Sequence, residues 1–217
     1  TMKCGLVYDL FFEKHRTGSG HPEQPVRASH VYREIVKAGL LPKTLKINPK
    51  ACREETLALA HDSTYLAQAK KDILRGLSVL STGDTQVCTD SWEVSLRATG
   101  GVLQAVDQVM SGPIKRAFCL TRPPGHHATP SKGMGFCIFN HIAIAAKYAQ
   151  KKHGVGKILI VDWDVHHGNG TQDVFYEDDS VLFLSTHQSP WYPGTGNREE
   201  TGKGKGLGYT LNFPFPA

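Results

Sequence analysis

The sequence predicts an α/β protein of three layers, with a mainly parallel β-sheet and helices on both faces. Three observations predict it. Short apolar runs, among them Ile158-Leu159-Ile160-Val161 and Val181-Leu182-Phe183-Leu184, alternate with stretches of helical spacing. Near-continuous apolar strands suit a sheet buried on both faces, and strands alternating with helices suit parallel pairing. The two densest polar clusters, 123–128 and 162–170, each follow a strand. Parallel sheets bind ligands beyond the carboxyl ends of their strands.

Cys4 to Tyr8 reads as the first strand, followed by a loop from Asp9 to Pro25 rich in His, Gly and Pro. Val26 to Ala38 has helical spacing and stops at Gly39, and Leu45 to Ile47 is a short strand. Glu54 to Leu74 is helical with a break at His61-Asp62-Ser63, where Ser63 is placed to cap a new helix. Leu80 to Asp90 is turn-rich, and Ser91 to Met110 is a long helix ended by Ser111-Gly112-Pro113. Then come strand Ala117 to Thr121, helix Phe139 to Lys152 stopped at Gly154, and strand Lys157 to Asp162. Helix Thr171 to Tyr176 and strand Val181 to Ser185 follow. No repeat or linker interrupts the pattern, so residues 1–217 read as a single domain.

Hydrophobic residues make up 40% and charged residues 21% of the 217, which excludes a disordered chain. The net charge of +5 is spread along the sequence, and Lys203-Gly204-Lys205 is the nearest thing to a patch. Without clustered cations and interleaved aromatics, no direct nucleic-acid partner is expected. The five cysteines (Cys4, Cys52, Cys88, Cys119, Cys137) are odd in number and form no C-x-x-C. That argues against a disulfide framework or a zinc finger and for a reducing, cytoplasmic setting. No apolar run reaches membrane-spanning length, so no membrane partner is expected.

The chemistry concentrates in Asp162-Trp163-Asp164-Val165-His166-His167-Gly168-Asn169-Gly170. In an extended segment, Asp162, Asp164 and His166 share one face. Carboxylates and an imidazole together suit a divalent metal such as zinc. The alternative, caps or ion pairs, leaves three polar groups costly to hold directly after four apolar residues. In Arg122-Pro123-Pro124-Gly125-His126-His127-Ala128 the prolines stiffen a loop that sets two histidines toward one cavity, where they suit acid–base work. Gly133-Met134-Gly135-Phe136-Cys137-Ile138-Phe139-Asn140 suggests a narrow apolar wall. Taken alone it reads as loop-to-helix packing, and Ser189-Pro190-Trp191-Tyr192-Pro193-Gly194-Thr195-Gly196 alone reads as a turn.

Together these segments resemble the zinc-dependent histone deacetylase family of the arginase/deacetylase fold, in its class II-like and bacterial branch. His21-Pro22-Glu23, followed by Pro25 and Arg27, resembles the family's early loop. The resemblance implies removal of acetyl groups from protein lysines, or from related acetylated amines, by a metal-activated water. It implies Asp164 and His166 as two of three protein zinc ligands, and His126 and His127 as tandem histidines around the water. Asp162 would pair with His126, and Asn169 would sit behind His127. Many relatives carry Asp at the latter position. A neutral amide stabilises imidazolium less, so His127 is expected to be less basic than an Asp partner would make it, which suits it to take the proton from water and later deliver one to the leaving amine. Gly135, Phe136 and Tyr192 would line the substrate tunnel, and Asp84 would match the rim aspartate that holds the substrate backbone. A structural potassium would sit on Asp162, Ser185 and the backbone of Asp164, His166 and Thr186.

The same zinc chemistry serves an acetylpolyamine or other small-molecule deacetylase. A binuclear manganese site of arginase type would need a carboxylate two residues after His166, where Gly168 stands. The family's third zinc ligand and its oxyanion tyrosine lie in segments later than Ala217. The resemblance therefore implies the N-terminal two-thirds of a catalytic domain, incomplete at the C-terminus. That piece is expected to be inactive or scaffold-like alone, and to cover its open flank by homo-oligomerisation.

Overall fold

The computed structural model describes residues 3–217. Strand β1 (Cys4–Val7) pairs in parallel with β2 (Thr44–Ile47) on one side and β3 (Ala117–Cys119) on the other. Strands β4 (Ile158–Asp162), β5 (Val181–Gln188) and β6 (Thr210–Phe215) form a second parallel set with β5 in the centre. The expected parallel pairing is present, but as two three-stranded sheets rather than one. The edges of β3 and β4 border a groove of about 540 Å³, lined by Ala117, Cys119, Ile160 and Asp162 and reaching His126.

Five helices pack around the sheets: α1 (Arg27–Lys37), α2 (Ser63–Leu74), α3 (Ser91–Met110), α4 (His141–His153) and α5 (Asn169–Phe175). The long helix α3 runs close over β1. A Cβ on Gly100 would fall 1.8 Å from the Lys50 carbonyl oxygen, and one on Gly101 2.7 Å from Val7. The Gly100-Gly101 pair is therefore what allows this approach. The largest core cluster joins α2, α3 and α4 to the inner face of β4 and β5, through Ile73, Leu96, Phe139, Ile144, Ile160 and Phe183. Each such fully buried side chain is worth about 1.5–3 kcal/mol.

On β5 the buried residues are Val181, Phe183, Ser185 and His187. The face is apolar at the start of the strand and polar at its carboxyl end, where the site lies. On β4 only Ile160 is buried, while Leu159 and Val161 are exposed. The expected cover on both faces is thus absent there among the described residues.

Four local expectations are corrected. The loop after β1 contains a 3-10 turn, Leu10–Lys14, because the Asp9 carboxylate accepts from the Phe11 N–H and caps it. The segment before α2 is also a 3-10 turn, Glu54–Leu59. Ser63 is the first residue of α2 rather than its cap, and Asp62 precedes it in an extended conformation. Helix α4 starts at His141 because Asn140 caps it, accepting from the Ala143 N–H.

Three histidines are buried in the neutral form. Burial pushes His61 and His141 down to about 4 and, with the Arg122 charge, His15 to about 3. His61 faces the Thr129 carbonyl with Nδ1, while Nε2 accepts from the Asn140 N–H, so both ring nitrogens are engaged in one neutral tautomer. The unfolded chain binds these protons near pH 6.5 and the folded one does not until near pH 4 or below. Stability is therefore full above pH 6.5 and is lost as pH falls from there towards 4. Thermal melts across pH 4–8 are expected to show Tm falling steeply below 6.5. A flat profile over that range would contradict the buried neutral assignment.

Candidate active site

The site is built from the carboxyl end of β3 outward. Arg122 is fully buried, and all five of its N–H groups find acceptors. Nε and Nη2 hold the two Glu23 carboxylate oxygens, Nη2 also reaches the Glu23 carbonyl, and Nη1 donates to the Phe12 and His15 carbonyls. This ties the loop after β1 to the start of the Pro-Pro-Gly-His-His segment. The Arg122–Pro123 peptide is cis.

Next in the chain, His126 and His127 lie with ring centroids 4.0 Å apart. His126 Nδ1 faces Asp162 Oδ2 at 2.8 Å. Burial alone would lower its pKa, but the Asp162 hydrogen bond and charge, aided by Asp164, outweigh that and raise it. His127 Nδ1 faces Asn169 Oδ1 at 2.8 Å. Asn169 is the first residue of α5, whose start packs on the histidine loop through Thr171 N to the His126 carbonyl. Burial, then the neighbouring His126 charge, push His127 down to about 4. His127 is thus neutral at pH 7. An amide oxygen only accepts, so Nδ1 carries the proton and Nε2 keeps a free lone pair.

The extended reading of residues 162–166 is corrected. Strand β4 ends at Asp162, and the next residues turn. Asp162 Oδ1 accepts from Asp164 N at 3.1 Å, and Asp164 Oδ1 accepts from His166 N at 2.8 Å. Two consecutive carboxylate-capped turns therefore bring Asp164 and His166 together, with Trp163 81% exposed on the outside. Asp164 Oδ1 lies 3.0 Å from His166 Nδ1 and 4.0 Å from His126 Nε2. Donors 3.0 Å apart can both reach one zinc ion at about 2.0–2.2 Å, so this pair fits as two ligands. Among the described residues no group of three His, Cys, Asp or Glu is arranged to hold a metal. Ser185 is buried opposite Asp162 in the β4–β5 register, beside Thr186, and its hydroxyl is 2.9 Å from His187 Nδ1.

These groups meet in a pocket of about 530 Å³. Its lining comprises His126, His127, Asp164 and His166, with Gly135, Phe136, Tyr192 and Asp84. Gly135 has φ +56°, and Phe136, at φ +68°, is the one non-glycine residue with positive φ among those described. His21 packs edge-on against Phe136 at 4.4 Å. Tyr192 stands perpendicular to the His127 ring at 5.1 Å. Burial, then the Asp84 charge, hold its hydroxyl well above the usual tyrosine range.

The pocket thus brings together Asp164 and His166 with Asp84, Gly135, Phe136 and Tyr192, and adds Pro22, Glu23, Arg27 and Pro124, to which the sequence assigns no role, while Asp162, Ser185 and Thr186 lie outside its lining. A lone Glu or Arg in a polar loop resembles solvated surface, and the local signals are Arg122 beside two prolines and the family-like early loop His21-Pro22-Glu23 with Arg27.

Fold and site together define an α/β protein of the arginase/deacetylase fold. A family profile described as the histone deacetylase domain matches residues 21–217. The chain is 39% identical over 218 residues to a probable deacetylase of Archaeoglobus fulgidus, covering 99% of this chain and 60% of that protein. It is 39% identical over 229 residues to the chloroplastic histone deacetylase 14 of Arabidopsis thaliana, covering 97% and 54%. The crystal structure of the HDA15 HD domain superposes with a TM-score of 0.91 at 34% identity, covering 99% of this chain and 62% of that one. The chain belongs to the histone deacetylase family. It spans 60% and 54% of the length of the two curated relatives. No helix among the described residues is long and apolar enough to cross a membrane.

Proposed function

We propose that this chain forms part of the catalytic domain of a zinc-dependent amidohydrolase that removes acetyl groups from lysine side chains or related acetylated amines. The observation that carries the reading is the pocket itself. Two histidines of opposed basicity and an Asp–His donor pair lie beneath the aromatic walls Phe136 and Tyr192.

Asp164 and His166 would hold the zinc. When bound, zinc would activate the attacking water and polarise the acetyl carbonyl. His127 Nε2 takes the water proton and later delivers one to the leaving amine, its ring held by Asn169. His126, kept basic by Asp162, donates from Nε2 towards the developing negative charge. Phe136, Tyr192 and Gly135 enclose the acyl chain, and Asp84 accepts substrate N–H at the mouth. Asp162, Ser185 and the backbone of Asp164, His166 and Thr186 would bind potassium.

The test is acetate release from an acetyl-lysine peptide by the zinc-loaded, family-length protein, beside His127→Ala and His166→Ala. Loss of the acid–base histidine is expected to cost about 10²–10⁴-fold in turnover, and His166→Ala to deplete bound zinc in elemental analysis. Zinc-independent turnover that survives His127→Ala would overturn the reading.

A further inference from the structure

Asp84 and Tyr192 are 108 positions apart in the chain and meet at the pocket mouth. Tyr192 Oη donates to Asp84 Oδ2 at 3.2 Å, while Gly135 N donates to Asp84 Oδ1 at 2.7 Å. One carboxylate therefore ties two walls of the pocket: the Gly135-Phe136 turn and the loop between β5 and β6. A phenylalanine at position 192 would present the same ring to His127 and make no such tie.

We propose that the Tyr192 hydroxyl is a positioning group for substrate selection, holding Asp84 across the mouth so that its remaining acceptor sites meet the backbone N–H groups of a peptide-borne acyl-lysine. This rests on the deacetylase reading above. A carboxylate offers about four lone-pair sites, and two are taken by Gly135 and Tyr192. The other two remain for substrate. Fixing the carboxylate beforehand removes an ordering cost from binding. The benefit goes to substrates that carry N–H donors above the acyl chain, and not to a bare acylated alkylamine, which ends below the mouth.

Tyr192→Phe keeps the ring and deletes the tie. In the family-length zinc-loaded protein it is expected to raise KM for an acetyl-lysine peptide about three- to tenfold, the size of one modest hydrogen bond. That rise should exceed both the change in kcat and the change in KM for a simple N-acetylalkylamine. Asp84→Asn combined with Tyr192→Phe should be no worse than Asp84→Asn alone, since groups acting through one another are not additive. Hydrogen exchange supplies a readout independent of turnover: the Gly135 amide and residues 189–196 should exchange faster in Tyr192→Phe. Unchanged exchange overturns the tie whatever the assays give. Faster exchange with equal KM increases for both substrates overturns its role in selection. Faster exchange in Tyr192→Phe, with a wild-type protein that cleaves no acetyl-lysine peptide, sinks the deacetylase reading and the proposed selectivity with it.

Discussion

Arg122→Ala is expected to cost about 3–5 kcal/mol of folding stability, because it removes one partner of a buried ion pair and leaves the other uncompensated. Glu23 is only 3% exposed and holds Arg122 with both oxygens. With the guanidinium gone, the Phe12 and His15 carbonyls lose a donor as well. Arg27 would still reach Glu23 Oε1, but it is half-exposed and meets only that oxygen. A loss of this size is a large share of the 5–15 kcal/mol typical of a domain. Arg122→Lys keeps the charge but not the planar fork, so it should fall between wild type and alanine. Urea denaturation of the three proteins measures this directly. An alanine variant within about 1 kcal/mol of wild type would mean that Glu23 is solvated and the loop after β1 is not anchored here.

The second large effect is expected at Gly135. Its φ of +56° is poorly tolerated by other residues, and an added Cβ would lie 2.3 Å from His127 Cδ2 and 2.6 Å from Cγ. The His127 ring would have to leave its place against Asn169, or the tunnel wall would have to move. Displacing a catalytic group by about 1 Å costs on the order of 10²-fold, so Gly135→Ala should lower turnover at least that much. Strain at such a position adds about 1–3 kcal/mol of destabilisation. Gly154 is the control: it also has positive φ, +67°, but nothing lies within 4 Å of an added Cβ. Gly154→Ala should therefore lower Tm with little effect on turnover. Equal activity of Gly135→Ala and wild type, measured on folded protein, would remove His127 from the proton-transfer role proposed for it.

Much of the architecture was legible because it is written locally. Apolar runs marked β4 and β5, and helical spacing marked α3 to the residue, since strand and helix faces are set by periods of 2 and 3.6. The pairs His126–Asp162 and His127–Asn169 were implied by the family resemblance, and each lies at 2.8 Å. The route to Asp164 and His166 was misread, because an Asp that accepts from the N–H two residues on makes a turn where alternation suggested a strand.

By itself, the sequence determined the order of elements, the loops that carry the candidate site and the residue types for which acid–base and metal-binding chemistry is proposed. These depend on spacing along the chain. Only the tertiary structure decided that Arg122 and Glu23 are a buried anchor, that His126 and His127 differ in basicity, and that Asp84 joins Tyr192 to Gly135. The reason is that desolvation and hydrogen-bond partnership are set by distance in space. Side chains far apart in sequence acquire their charge state and partners only when the core brings them together.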